Sequence, residues 1–197
     1  MQVRIARSED CEGIARTLAE AFFSDPVWGW GFAEPEQRNM HHEAWFRLLV
    51  RSALPHQWVW TTPAYETVSV WVPPGLPALS ESDEAQLEAM LEESLGARVQ
   101  LVMEVFEQFE EAHPRDQDHY CLSLLGTHSD HRGACLGMGL QADNLARLDK
   151  THLPAYLEST NPANLRRYES VGFAMSGAFQ LPDGGPTVTT MWSDAAP

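Results

Sequence analysis

No apolar run in the 197-residue sequence approaches the ~18 residues that a membrane-crossing helix needs, which excludes a helical span. The opening Met1-Gln2-Val3-Arg4 has neither the continuous apolar stretch nor the small-residue cleavage site of a secretory signal, so a cytoplasmic protein is expected. Cysteine is scarce. Cys11, Cys121 and Cys135 are odd in number and widely spaced, which suggests neither a disulfide framework nor a zinc site. Basic residues are also few: 13 Lys and Arg against 28 Asp and Glu leave a formal charge of −15. Such a chain repels a phosphate backbone or an anionic bilayer, so neither nucleic acid nor membrane is an expected partner. Internal repeats and low-complexity linkers are absent too. What remains is a globular composition, 44% hydrophobic and 10% aromatic, at a length that buries one core, and a single domain over 1–197 is expected.

Alternation in Val3-Arg4-Ile5-Ala6-Arg7 predicts a short strand, after which Ser8 is placed to cap a helix whose apolar residues Ile14, Leu18, Ala21 and Phe22 recur at helical spacing. Ser24 to Phe32 carries Asp25-Pro26, Gly29 and Gly31 among aromatics and reads as a covering loop. A helix over about 35–51 and a hairpin of Trp58 to Thr62 with Thr67 to Val72 follow. Ser80 to Asp118 reads as helix broken near Gly96; its 12 acids and 2 arginines give a local charge of −10. The last third alternates strand (Tyr120 to Leu125), glycine-containing loop, helix (about 136–150), strand (Ala155 to Glu158), helix (Pro162 to Ser170) and a strand pair (Gly172 to Leu181, Val188 to Trp192), the signature of an α/β sheet. Asp183-Gly184-Gly185-Pro186 signals the turn of that final pair.

Chemistry concentrates where the strand ending in Leu125 runs through Gly126-Thr127-His128-Ser129-Asp130-His131-Arg132-Gly133-Ala134-Cys135 into a helix at Leu136-Gly137. Free amides in a first helical turn, with the positive end of the dipole behind them, bind anions, and Arg132 can add a charged contact. A plain tight turn has the same composition. The Gly-Lys-Ser/Thr ending of a Walker loop is missing. His128 and His131 with Asp130, or His41-His42 with Glu43, lack the further ligands of a metal centre, and no metal is expected.

The Arg-x-x-x-x-Gly loop, followed by Leu157-Glu158-Ser159-Thr160-Asn161-Pro162-Ala163-Asn164, then Tyr168 and Gly172-Phe173, resembles the GNAT superfamily of acyl-CoA-dependent N-acetyltransferases, with a layout nearest the puromycin N-acetyltransferase branch. The resemblance implies a mixed, mostly antiparallel twisted sheet of about six or seven strands, helices on both faces and a splayed parallel strand pair. It implies acetyl-CoA as co-substrate, with Leu125, Gly126 and Thr127 beside the thioester arm, Arg132, Gly133, Ala134, Cys135, Leu136 and Gly137 around the pyrophosphate, and Asn164 as a further contact. It implies transfer to a primary amine, and a homodimer as a partner state that such proteins often adopt; the aromatic segment over 24–32 and the acidic middle suggest an enclosed pocket, and so a small molecule as the acceptor. A non-catalytic acyl-CoA sensor and a protein or peptide N-acetyltransferase are the competing readings.

Amine acetylation needs a base or amine-orienting carboxylate and a proton for the leaving thiolate. Glu158, at a strand's carboxyl end, is the candidate for the first and Tyr168 for the second; a solvated carboxylate and a packed core aromatic are the plain alternatives. Asn161 before Pro162 reads as a helix cap. Trp28, Trp30 and Phe32 either wall the acceptor pocket or pack the core. Cys135 departs from the family's usual glycine, and a side chain there can narrow the approach of the pyrophosphate.

Overall fold

The computed structural model describes residues 1–195. Its strands are β1 (Arg4–Ile5), β2 (Val59–Thr61), β3 (Thr67–Val72), β4 (Tyr120–Thr127), β5 (Ala155–Ser159), β6 (Ala174–Gln180) and β7 (Thr187–Ser193). They form one sheet in the order β1-β2-β3-β4-β5-β7-β6. Only β4 and β5 run parallel; every other neighbour pair is antiparallel.

Helices cover both faces. On one lie α1 (Cys11–Phe22), α2 (Pro26–Gly31), α3 (Pro35–Ala53), α4 (Glu81–Leu95) and α5 (Val99–Ala112). Ile14, Leu18, Phe46, Leu91 and Val102 of this layer pack against Val68, Val70 and Leu124 of the sheet. On the other lie α6 (Leu136–Leu148) and α7 (Leu165–Glu169), where Leu140, Leu148 and Leu165 meet Trp71, Leu122, Leu157 and Met191. Covered on both sides, β3 is buried at every position. Its one serine avoids the cost of an unpaired buried hydroxyl because Ser69 Oγ donates to Asn144 Oδ1 of α6 at 2.6 Å.

Two local expectations change. Ser8 does not cap α1; it opens a 3₁₀ turn, and the Asp10 carboxylate instead accepts the Arg7 N–H at 2.7 Å. The segment over 24–32 is not an open loop but contains α2. Pro26 supplies the fixed φ of a first helical residue, and Asp25 Oδ1 accepts the N–H groups of Val27 and Trp28 at 3.0 and 3.3 Å, so turn-type residues here start a helix. The break between α4 and α5 falls at Gly96, whose φ is +51°. The expected final hairpin forms, closed by a 3₁₀ turn over Pro182–Gly184.

Candidate active site

The parallel pair stays together for three residues only: Tyr120 opposite Ala155, Cys121 opposite Tyr156, and Leu122 opposite Leu157. Beyond that point β4 continues to Thr127 on β3, and β5 continues to Ser159 on β7, with no pairing between them. The cause is visible in the β3 register. Val70 faces Leu124 while Trp71 faces Leu122, so Ser123 is an extra residue, a bulge that bends β4 away from β5. The bulge also reverses the alternation of faces. Leu122 packs with the α6 layer and Leu124 with the α1 layer.

Close packing holds the parted end of β4. A Cβ on Gly126 would stand 2.9 Å from Leu18 Cδ2 and 3.0 Å from Ala21 Cβ, so α1 lies directly on that glycine. Leu125 and Thr127 face the opposite layer: Leu125 is half-buried, and Thr127 Oγ1 lies 3.1 Å from Thr67 Oγ1. A Cβ on Gly137 would reach within 2.9 Å of that Thr127 hydroxyl, so the first turn of α6 sits against the end of β4.

Between them, the loop turns through Gly133 at φ +84° and Cys135 at φ +57°. Cys135 is the N-cap of α6, and its side chain makes no capping hydrogen bond. Among the described residues, nothing accepts a hydrogen bond from the N–H groups of Leu136, Gly137 or Met138. Arg132, Gly133, Ala134 and Cys135 are exposed, and a Cβ on Gly133 would meet nothing within 4 Å. Free amides at the dipole's positive end, with open space before them, suit the diphosphate of a nucleotide. Cys135 is exposed and its thiol is free. Arg132 is placed differently from a free phosphate ligand: its guanidinium donates to the Ala21 carbonyl at 3.0 Å, at the end of α1.

Glu158 is the first residue after the last parallel pair, half-buried on the α5 side of the gap. Its Oε1 accepts the Tyr156 hydroxyl at 2.9 Å. Burial pushes its carboxyl up to about 7, with the Glu110 carboxylate adding to the rise and the Tyr156 hydrogen bond opposing it. Tyr168 packs its ring against Phe173, with centroids 6.1 Å apart, in the α6 layer. No described residue hydrogen-bonds its hydroxyl, and burial together with the Asp25 carboxylate raises its pKa. Asp25 is itself buried and accepts the Thr160 hydroxyl at 2.7 Å. Asn164 lies apart from the loop's amides in its bonding, with Oδ1 accepting from Arg167 at 2.9 Å. Asn161 caps the turn after β5, as its sequence position suggests, accepting Ala163 N–H at 3.0 Å.

Trp28 and Phe32 are core residues, packed edge-on or tilted against Trp45, Phe46 and His42, while Trp30 is half-buried. Sequence reasoning does not single out Asp25, Thr160 or Tyr156 as site residues. An Asp-Pro pair before aromatics is the only local signal among them. A concavity of about 1130 Å³ lies elsewhere, beside β1, where Arg4, Arg47, Arg51 and Arg147 are paired with carboxylates. Among the described residues no group of three His, Cys, Asp or Glu is placed to hold a metal, and no helix is long and apolar enough to cross a membrane.

No family model matches the chain. A solved structure from Corynebacterium glutamicum, described as histone acetyltransferase HPA2 and related acetyltransferase, superposes with a TM-score of 0.71 at 22% identity, over 99% of this chain and 96% of that one. Drosophila melanogaster polyamine N-acetyltransferase gives 0.67 at 16% identity, over 98% and 99% of the two chains. An agmatine N-acetyltransferase gives 0.66 at 17%, over 98% of each. At such identities the likeness is one of architecture, and together with the seven-stranded sheet and its single parallel pair it establishes that the chain has the GNAT acetyltransferase fold.

Proposed function

We propose that this chain, as one domain working in the cytoplasm, transfers an acetyl group from acetyl-CoA to a primary amine of a small molecule. The observation that carries the reading is the parting of β4 and β5 after Leu122 and Leu157, with the uncapped start of α6 at one end of the gap and Glu158 the first residue of β5 past the last pair; Tyr168 is our candidate acid. Free strand edges suit an extended pantetheine arm, and the amides over 136–138 suit its diphosphate. The solved structures named for polyamine and agmatine acetylation support a small amine as acceptor. So does the acidic middle of the chain, whose field favours a cation. The sequence layout resembling puromycin N-acetyltransferases is compatible with this.

Acetyl-CoA, when bound, supplies an acetyl group as a thioester. Glu158, with a carboxyl near 7, is suited to take a proton from the incoming ammonium, freeing the nitrogen lone pair. As the new C–N bond forms and the C–S bond breaks, Tyr168, whose raised pKa keeps it protonated, gives its proton to sulfur. The products are an amide and free CoA thiol; the second proton that nitrogen sheds as the amide forms passes through solvent to the Tyr168 phenolate, and Glu158 releases the proton it took, which restores both groups.

A thiol-release assay with acetyl-CoA tests this, using agmatine, spermidine and phenethylamine against an N-terminal peptide and a lysine peptide. Turnover of at least one small amine and of neither peptide is expected. Turnover of peptides alone would transfer the reading to a protein acetyltransferase, and no acetyl-CoA-dependent thiol release would leave only a binding role.

A further inference from the structure

Tyr156 is buried on β5, two residues before Glu158, and the two side chains share the α5 face of the sheet. Its ring is packed by His113 at 5.3 Å, His119 at 5.5 Å and Trp192 at 6.3 Å between centroids, so the phenol has little freedom except rotation of its hydrogen. Two acceptors lie within reach of that hydrogen: Glu158 Oε1 at 2.9 Å and the carbonyl of Ala112, at the open end of α5, at 3.3 Å.

We infer that Tyr156 is a positioning residue for Glu158, turning its hydrogen from the carboxylate to the Ala112 carbonyl whenever Glu158 takes up a proton. With Glu158 ionised, the phenol donates to it. With Glu158 protonated, the carboxylic O–H donates to the phenol oxygen, and the phenol O–H points to Ala112. Both groups are hydrogen-bonded in either state, and apart from the proton that Glu158 takes up only hydrogen bonds change. The two states are unequal, because a bond to a charged acceptor is the stronger one, so Tyr156 favours the ionised base.

The groups facing this pair are few. Glu110 on α5 opposes ionisation of Glu158; Cys121 on β4, opposite Tyr156, is a half-buried residue whose thiol is kept protonated by its desolvation. His113, with its pKa lowered by burial, shares a 3.1 Å contact with His119, which donates from Nδ1 to the Gln117 carbonyl. On β7, Thr190 stands opposite Glu158 and Trp192 opposite Tyr156, neither of them charged.

The inference rests on Glu158 being the proton acceptor, so two variants are read together with one acceptor amine. In Tyr156→Phe the acid limb of kcat/KM should move to higher pH by about one unit, a loss of roughly tenfold at pH 6 that largely recovers by pH 9. KM for acetyl-CoA should stay within about twofold, since the phenol bonds to Glu158 and Ala112 and not to the loop before α6. An unshifted limb, in a background where Glu158→Gln is inactive, overturns the role of Tyr156 alone; a fully active Glu158→Gln overturns the assignment of the base itself. Should Tyr156→Phe not fold, 3,5-difluorotyrosine placed at position 156 keeps the ring and sharpens the donor. The limb should then move to lower pH, and a limb that stays in place refutes the inference.

Discussion

The carboxylate of Asp25 accepts a 2.7 Å hydrogen bond from the hydroxyl of Thr160, joining the start of α2 to the end of β5 across 135 residues of sequence. The same carboxylate caps α2 through Val27 and Trp28. One side chain thus ties α2 to the end of β5, and its charge is felt at Tyr168, whose pKa it helps to raise.

Replacing Asp25 by Ala removes the cap and the tie together, and about 2 kcal/mol of stability should be lost. Thr160→Val removes the tie alone and should cost about 1 kcal/mol. Urea melts of both variants check this. No loss in Thr160→Val would show that the link from α2 to the end of β5 contributes nothing.

Glu158→Gln should lower kcat by about 10²-fold or more, and Tyr168→Phe by a similar factor. The pH profile carries the finer test. A base with its carboxyl near 7 must be ionised to work, so kcat/KM should fall as the pH drops below about 7. Because the pKa of Tyr168 is raised, its deprotonation should produce no loss of rate between pH 7 and 9. Profiles of wild type and both variants, measured with one amine, decide it.

The stretch around Glu158 and Tyr168 is legible in the sequence because strand, glycine loop and helix each leave a local mark, as Leu122 to Gly137 do. The opening between the strands has no such mark. It depends on an extra residue at Ser123 that shows only when β4 is laid beside β3. Tyr156 reads as an ordinary strand aromatic, and its contact with Ala112 comes from α5, 44 residues earlier. Asp25 and Pro26 are turn formers by type, and only the N–H groups that the Asp25 carboxylate accepts reveal a helix start. Arg132 is a phosphate candidate by spacing, yet α1 ends where its guanidinium can take the Ala21 carbonyl.

His42 gives a prediction about stability. It is fully buried against Phe32 and Phe46, and burial lowers its pKa to about 4 from an unfolded value of 6.5. The unfolded chain therefore binds this proton more tightly, so the contribution is complete above pH 6.5 and is lost as the pH falls toward 4. Over that window about 3 kcal/mol should go. Urea midpoints between pH 7 and 4.5 should fall in the wild type and fall less in His42→Phe; parallel curves would contradict the assignment.

Cys135 stands at φ +57° with its thiol exposed. Cys135→Gly relieves the left-handed strain, which outweighs the added freedom of the unfolded chain by at most about 1 kcal/mol. Because the Cys135 side chain is exposed and makes no bond to the first turn of α6, CoA affinity should change less than about threefold. Titration calorimetry of the two proteins measures it, and a gain of tenfold or more would mark Cys135 as an obstruction.

Amide hydrogen exchange, followed by mass spectrometry with and without acetyl-CoA at ~1 mM, probes the cleft itself, since ligand binding to the native state suppresses local opening. Peptides covering 123–127 and 132–139 should become protected, while those over β1 and α4 should not. Unchanged exchange over 132–139 would mean that the start of α6 holds no diphosphate, and the acetyl-transfer account would be wrong.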